Sequence, residues 1–283
     1  MYQIIQKNLA MRISYLILSL LVLPFFVDAQ VDTRRLPFTP EQDSIVLDST
    51  SFSMPFSNEI TSIQIEGNFS GKMRIYGSNK YNELNANLVY TPILRDERAV
   101  GLQEVSAGSS DNTGVGLFIE ERHGTLHIRP ANNHYKDKHF SLFIPENIAL
   151  EVRGTGYGGK IMVYDLNAPI VMSQLQASVK VYNPGKQVDI STKRNIDIVV
   201  NKPLSFPLNL TSQTGLVDVS IKKSSDAQVV VTNDRVTPRI FSDLPLVLMA
   251  KEDNRQIFHL NEGVNRIEIY APFGNVYVRE NAL

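Results

Sequence analysis

Between Ile148 and Lys223 apolar and polar residues alternate in short bursts that return about every 9 or 10 residues. Leu150 and Val152 alternate with Glu151 and Arg153, and Ile161/Val163, Ile170/Met172 and Val179/Val181 follow. Val188/Ile190, Ile196/Ile198, Leu208/Leu210 and Val217/Val219 then flank Asp189, Asp197, Asn209 and Asp218. A period of two marks half-buried strands, because successive side chains point to opposite faces. The β-branched residues at these positions suit a pleated surface. Turn chemistry closes the bursts: Gly154 to Gly159, Asn183-Pro184-Gly185 and Asn201-Lys202-Pro203.

Two bursts make a unit of roughly 18 to 20 residues: Ile148 to Asn167, Ala168 to Gly185, Lys186 to Pro203 and Leu204 to Lys223. Tyr164-Asp165 and Tyr182-Asn183 recur at one phase, and the next unit slips by one residue. A two-strand unit cannot bury its apolar face alone, whereas stacked units share a continuous narrow core. The pattern therefore predicts an all-β chain, a β-solenoid of short two-strand coils. An antiparallel β-sandwich of short strands is the alternative.

The flanks carry the same rhythm. Ile63/Ile65, Met73/Ile75 and the run Leu84, Ala86, Leu88, Tyr90 each present one apolar face. Leu117 to Ile119 and Leu126 to Ile128, around His123-Gly124, predict a hairpin. Phe140 to Pro145 predicts a strand ended by its proline. Val229/Val231, Leu244 to Ala250, Ile257 to Leu260, Ile267/Ile269 and Val276 to Val278 continue the pattern. No amphipathic helix is read. Residues 56–283 form the expected β-solenoid domain. Residues 30–55, polar with Pro37 and Pro40, are expected as an N-terminal arm whose Ile45 to Leu47 pair onto a sheet edge. Residues 94–114, charged and then glycine- and serine-rich, are expected as a mobile excursion.

Four segments, taken in order, resemble the adhesin-like β-solenoid family of bacterial envelope proteins, which includes domains of unknown function. They are Ile63 to Gly77; Gly124 to Ile128; Leu142 to Val152 with its Ile-Pro; and Leu260 to Ile269 leading to Gly274-Asn-Val-Tyr-Val-Arg279. The resemblance covers roughly residues 56 to 280 and departs in the middle coils, which lack that family's regular Ser-Gly-Asp turns. It implies a β-solenoid in an extracytoplasmic place, and it carries no catalytic residues.

Composition and address narrow the chemistry. The chain has no cysteine, which excludes disulfides, thiolate metal sites, a cysteine nucleophile and a cysteine-linked lipid anchor. A net charge of -1 offers no basic excess for nucleic acid, and the absence of tryptophan weakens a tryptophan-stacked sugar site. Lys7 and Arg12 precede the apolar run Ile13 to Val27, and Val27-Asp28-Ala29 supplies a cleavage site. Residues 1–29 are thus expected as a secretory signal peptide that leaves Gln30. The run is short for a membrane anchor, which needs about 20 residues, and Pro24 interrupts it. An exported protein of the periplasm or cell envelope, or one released outside the cell, is expected, with no transmembrane segment after cleavage.

Each candidate chemistry has a plainer reading. The Gly154 to Gly159 loop leads into a strand, whereas a phosphate cradle needs a helix there. His123, His127, His134 and His139, near Glu120 and Glu121, have metal-ligating types, and exposed hairpin histidines account for them. Asp189, Asp197 and Asp218 could act as acid-base groups or bind calcium, but alternation puts them on the solvated face. Tyr164 and Tyr182 could form a binding platform or stack between coils. No catalytic, cofactor-binding or metal residue is assigned. The expected role is a non-catalytic adhesion or interaction module for an envelope protein or glycan, with self-association through strand edges and no nucleic acid. The alternatives are a periplasmic sensor or regulatory partner of an inner-membrane protein and, behind it, a polysaccharide lyase or hydrolase.

Overall fold

The computed structural model describes residues 48–67, 69, 71–80, 82–92, 111–131, 135–154, 159–234 and 239–282, without the side chains of 91, 92 and 135–137. The expected signal peptide and most of the expected arm and excursion lie outside these residues. Among them there are strands and no helix.

The chain opens with β1 (Asp48–Pro55), β2 (Ser62–Glu66), β3 (Lys72–Ser78) and β4 (Glu83–Pro92). The hairpin β5 (Leu117–Arg122) and β6 (Thr125–Pro130) precedes the long β7 (Tyr135–Pro145). The repetitive stretch gives β8 (Ala149–Arg153), β9 (Lys160–Tyr164), β10 (Ile170–Leu175) and β11 (Ser178–Tyr182), then β12 (Val188–Thr192), β13 (Ile196–Val199), β14 (Leu208–Ser212) and β15 (Val217–Ile221). The last third supplies β16 (Ala227–Thr232), β17 (Ile240–Ser242), β18 (Val247–Lys251), β19 (Arg255–Leu260), β20 (Asn265–Tyr270) and β21 (Val276–Glu280).

These strands form two sheets. Sheet A runs β1-β4-β7-β3-β9-β11-β13-β15-β21-β17, and sheet B, read from the same end, runs β5-β6-β2-β8-β10-β12-β14-β20-β16-β19-β18. From β8 to β15 the chain alternates between the sheets and pairs parallel with the strand two positions back. The middle is therefore a stack of two-strand coils, as the alternation predicts. The outermost strands pair antiparallel: β1 on β4, β4 on β7, β5 on β6, β19 on β16 and β18 on β19. Each expected architecture thus describes part of the molecule.

Parallel in-register pairing stacks like residues along the core. Ile161, Val179, Ile196, Val217 and Val276 align in sheet A, and Leu150, Ile170, Val188, Leu208 and Ile267 in sheet B. All are buried in one apolar cluster. Burying a side chain of this size contributes about 1.5–3 kcal/mol.

Spatial order departs from chain order at both ends. β2/β3, early in the chain, lie between β6/β7 and β8/β9. β20/β21, last in the chain, lie between β14/β15 and β16/β17. Beyond Lys223 the strand pattern continues as expected, but β16/β17 skip one place and the chain's end fills the gap. The fit is tight, since a Cβ on Gly274 would meet the Gly215 carbonyl of the preceding coil. The expected arm is also shorter on its described side, because residues 48–55 are β1, paired along their whole length with β4.

The two ends are finished differently. At the first, Leu84, Ala86 and Leu88 of β4 and Leu117 of β5 are fully buried. The turn before β5 helps to close this end. The Asp111 carboxylate accepts hydrogen bonds from the backbone N–H groups of Thr113, Gly114 and Gly116 at 2.9, 2.9 and 2.8 Å. That turn sets Val115, buried, in the core. Residues 111–114, expected as part of the excursion, thus belong to the fold. At the other end Leu244 is buried between β17 and β18, but Val247, Leu248 and Met249 of β18 are 60%, 50% and 56% exposed.

Candidate interaction surface

The outward-facing residues of sheet A line up as strictly as the inward ones. At the downstream end of four adjacent strands, Phe143 (β7), Tyr76 (β3), Tyr164 (β9) and Tyr182 (β11) stand in one row. Their rings stack with centroids 4.9, 4.9 and 4.7 Å apart and planes within 15°, 11° and 5°. Strand spacing of about 4.8 Å dictates this distance, so stacking follows from in-register aromatic residues. Each such pair contributes about 0.5–1.5 kcal/mol beyond its buried area. Neighbouring rings cover both faces of Tyr76 and Tyr164, which makes the row an inter-coil ladder and leaves those two inner rings only their edges for contact. Burial pushes the Tyr164 phenol up, and the neighbouring tyrosines add to that.

The corner after the ladder explains the recurring dipeptides. Asp165 and Asn183 take left-handed backbone angles (φ 52° and 50°), which these residues tolerate better than most. Asn183 Nδ2 donates to Asp165 Oδ1 at 2.9 Å. In the next coil Val199 and Val200 take the equivalent places, which ends both the ladder and the corner motif.

The row beside the ladder carries charge. It runs Ser141, Arg74, Met162, Lys180, Asp197, Asp218, Tyr277, Phe241. Lys180 Nζ lies 2.7 Å from Asp197 Oδ2, and Arg279 reaches diagonally to Asp218 at 3.0 Å. The order of charge is plus, minus, minus, plus. Burial pulls the Lys180 ammonium down, but hydrogen bonds to Asp197 and Tyr182 outweigh it and hold the group above its ordinary value. Burial pushes the Asp218 carboxyl up; Arg279 opposes this, and the neighbouring Asp197 charge adds to it. Asp218 Oδ1 is buried and accepts no hydrogen bond from the described residues. Met162, an outward position, is buried nonetheless, with the Tyr164 hydroxyl 3.5 Å from its sulfur.

A third row begins the same strands: His139, Lys72, Lys160, Ser178. Three rows on the four strands β7, β3, β9 and β11 therefore hold His139, Lys72, Lys160, Arg74 and Lys180 and not one carboxylate.

The other predicted residues do not converge. His123 sits in the β5–β6 turn, where it and Gly124 both have positive φ (51° and 73°), as a two-residue hairpin loop requires. His127 faces outward on sheet B and His139 on sheet A, while His134 lies outside the described residues. Among the described residues no three His, Asp or Glu side chains gather as a metal site. Asp189 is on sheet B, where it accepts hydrogen bonds from Gln187 and Asn209, away from Asp197 and Asp218 on sheet A. Lys160 opens β9 directly after the glycine loop, so a strand stands where a phosphate cradle would need a helix. Sequence reasoning missed Tyr76, Phe143, Arg74 and Lys72, because β3 and β7 reach β9 only through the out-of-order pairing. An aromatic residue three positions after the first apolar residue of an alternation, in Met73 to Tyr76 and in Phe140 to Phe143, was the available signal.

No family model matches the chain, and no curated protein matches it. Solved structures do. A candidate cell adhesion protein from Clostridium sporogenes is 14% identical over 83% of this chain and 100% of its own, with a TM-score of 0.43. A candidate lipid-binding protein from Parabacteroides distasonis is 16% identical over 83% and 97%, with a TM-score of 0.32. A candidate adhesin from Bacteroides fragilis is 11% identical over 83% and 97%, with a TM-score of 0.30. The chain is similar to these proteins along most of its length and shares few of their residues.

Proposed function

We propose that this chain is an exported, non-catalytic interaction module of the cell envelope, of the adhesion type, which holds a protein or glycan partner on the outer face of sheet A. The observation that carries this is the face itself: in-register rows of aromatic and charged side chains on adjacent strands, fixed by backbone pairing. Such a face presents preorganised groups whose ordering cost is met on folding, which favours binding. The test combines a glycan array with a pull-down from envelope fractions, each run with the wild-type protein and with an Arg74→Ser/Lys180→Ser variant. A ligand or stoichiometric partner lost in the variant supports the reading; a partner retained by the variant, or none in either experiment, overturns it. Measurable turnover of a polysaccharide would replace it with the lyase or hydrolase reading.

Self-association is a second reading, favoured by β18, an exposed apolar strand at the edge of sheet B. Such edges can pair with another chain. Sedimentation at rising concentration should then show a dimer that Leu248→Lys abolishes, and a monomer throughout removes this reading.

A further inference from the structure

The two ends of the aromatic ladder on sheet A are unlike. Beyond Tyr182 the next strand places Val199 in the row, and the Lys180 ammonium lies over the Tyr182 ring, 4.7 Å from its centre. At the other end Tyr76 covers one face of Phe143. The second face of Phe143 turns to β4, where Asn85 holds the same row, and Ser53 of β1 follows it. Both side chains are too short to replace a ring. Fixed polar groups border this face. The Glu83 carboxylate accepts hydrogen bonds from Asn85 Nδ2 at 2.9 Å and from Ser53 Oγ at 3.1 Å. Asn87 and Ser141 are partners in the next row, and Arg74 continues that row onto β3. Phe143, Glu83, Asn85 and Asn87 are all half-buried.

We infer that this end of the ladder is a binding site for an uncharged oligosaccharide, with one sugar ring stacked on the outer face of Phe143 above Asn85 and the next units crossing Asn87, Ser141 and Arg74. This rests on the reading of the sheet A face as the interaction surface and names its ligand class. A sugar ring has an apolar C–H face, which suits an aromatic face, and a rim of hydroxyls that both donate and accept. Seated one strand spacing from Phe143, about 4.8 Å, it continues the stack, and its rim meets Glu83, an acceptor, and the amides of Asn85 and Asn87, which donate and accept. The Arg74 guanidinium carries five N–H donors for hydroxyls further along. Phenylalanine thus fills the stacking role in a chain without tryptophan. The Glu83 carboxylate decides the charge of the ligand, because it repels uronate, sulfate and phosphate groups brought against it. An aromatic side chain of a protein partner would cover the ring but leave the carboxylate and the amides unmatched, which costs affinity.

The test is titration of the full chain with malto-, cello-, manno-, galacto- and chito-oligosaccharides, and with oligogalacturonate as the anionic comparison. Two variants attack the site: Phe143→Leu removes the ring face, and Asn85→Tyr puts a ring where the sugar would stack. Asn85→Tyr should melt no lower than wild type, because its ring joins the ladder, so its loss of binding is separate from unfolding. Tyr270→Leu, on the outer face of sheet B, is the control. At least one uncharged series should bind, with an affinity that added salt leaves unchanged. Both site variants should lose at least tenfold, the Arg74→Ser/Lys180→Ser variant should weaken the longer oligomers, and the control should keep them. Undiminished binding by Asn85→Tyr, equal loss in the control, retention by the Arg74→Ser/Lys180→Ser variant, or oligogalacturonate bound as well as the uncharged series overturns the inference. If no uncharged saccharide binds while a protein or a charged glycan is captured and then lost with Arg74→Ser/Lys180→Ser, the inference fails and the interaction reading stands. If array and pull-down are also empty, both fall.

Discussion

The middle of the molecule and its two ends solve one problem in different ways. From β8 to β15 each strand pairs with the strand two positions along the chain, always parallel. The chain winds, and every row of side chains continues into the next coil. At the ends winding stops, and something must cover the last coil. There the chain inserts a pair of strands out of order and adds antiparallel strands outside. Regular winding makes extended surface rows cheap. The ends show that such a stack stays finite only when its edges are built from different pairings. They also differ from each other, one closed over buried leucines and the other carrying an exposed apolar strand.

The strongest way to break this contrast is to remove the terminal insertion. Deleting residues 265–283 takes away β20 and β21 and strips a parallel neighbour from each of β14, β15, β16 and β17. Leu208, Leu210, Val217, Val219, Val229 and Val231 all lose cover. At about 1.5–3 kcal/mol for each buried side chain, their full exposure would cost about 9–18 kcal/mol, comparable with the whole stability of an ordinary domain, about 5–15 kcal/mol. The truncated chain should show no cooperative melt by circular dichroism, and a melt near the wild-type temperature would mean that the inserted coil is an accessory. Next in size is a pair of substitutions comparing the ends. Leu117→Ala at the closed end should cost about 2–5 kcal/mol, the usual range for a buried leucine, and Leu248→Ala at the open end less than about 0.5 kcal/mol, both by denaturant unfolding. Equal costs would show that the open end is covered after all.

The same contrast explains what could be read in the sequence. Eight alternating pairs, Leu150/Val152 to Val217/Val219, are the core positions of β8 to β15, because a strand with one buried face writes its period directly into the chain. Val229/Val231, Ile267/Ile269 and Val276/Val278 were legible as strands on the same ground, but not their places. Alternation states which way a side chain points and nothing about which strand lies alongside, so the swap of β16/β17 with β20/β21 left no mark. The Tyr164–Tyr182 contact was visible from equal phase, and the other half of the ladder was not, since Tyr76 and Phe143 join it through strands distant in the chain. The row His139, Lys72, Lys160 was hidden for the same reason: its members come from three separated segments and meet only in the sheet.

A smaller effect should come from the ladder, where middle and end meet. Tyr76 stacks on both Phe143 and Tyr164, whereas Tyr182 stacks on Tyr164 alone. With about 0.5–1.5 kcal/mol per aromatic pair, Tyr76→Ala should cost about twice what Tyr182→Ala costs in stacking. A double-mutant cycle on Tyr164 and Tyr182 isolates one such pair. A coupling indistinguishable from zero would reduce the ladder to separate surface rings, and the coils would then be held together by backbone and core alone.

The smallest effect is also the most diagnostic of how the middle tolerates charge. Asp218 is partly buried beside Asp197, and Arg279 offsets its desolvation only in part, so its carboxyl stands above the ordinary 3.8. A carboxyl raised in the folded state binds its proton more readily there than in the unfolded chain. Its ionised form therefore costs stability at neutral pH, and that cost disappears as pH falls through the folded value toward the unfolded one. Asp218→Asn removes the titration. The variant should be as stable as wild type or more stable near pH 7, by no more than about 1 kcal/mol because Arg279 is half-exposed and screened. Its advantage should shrink steadily as the solution is acidified into the carboxyl range. A variant less stable at pH 7, with a deficit that closes on acidification, would show the Arg279 pair outweighing burial. The plus, minus, minus, plus row would then be a stabilising device of the regular coils, rather than a charge arrangement that the stack merely accommodates.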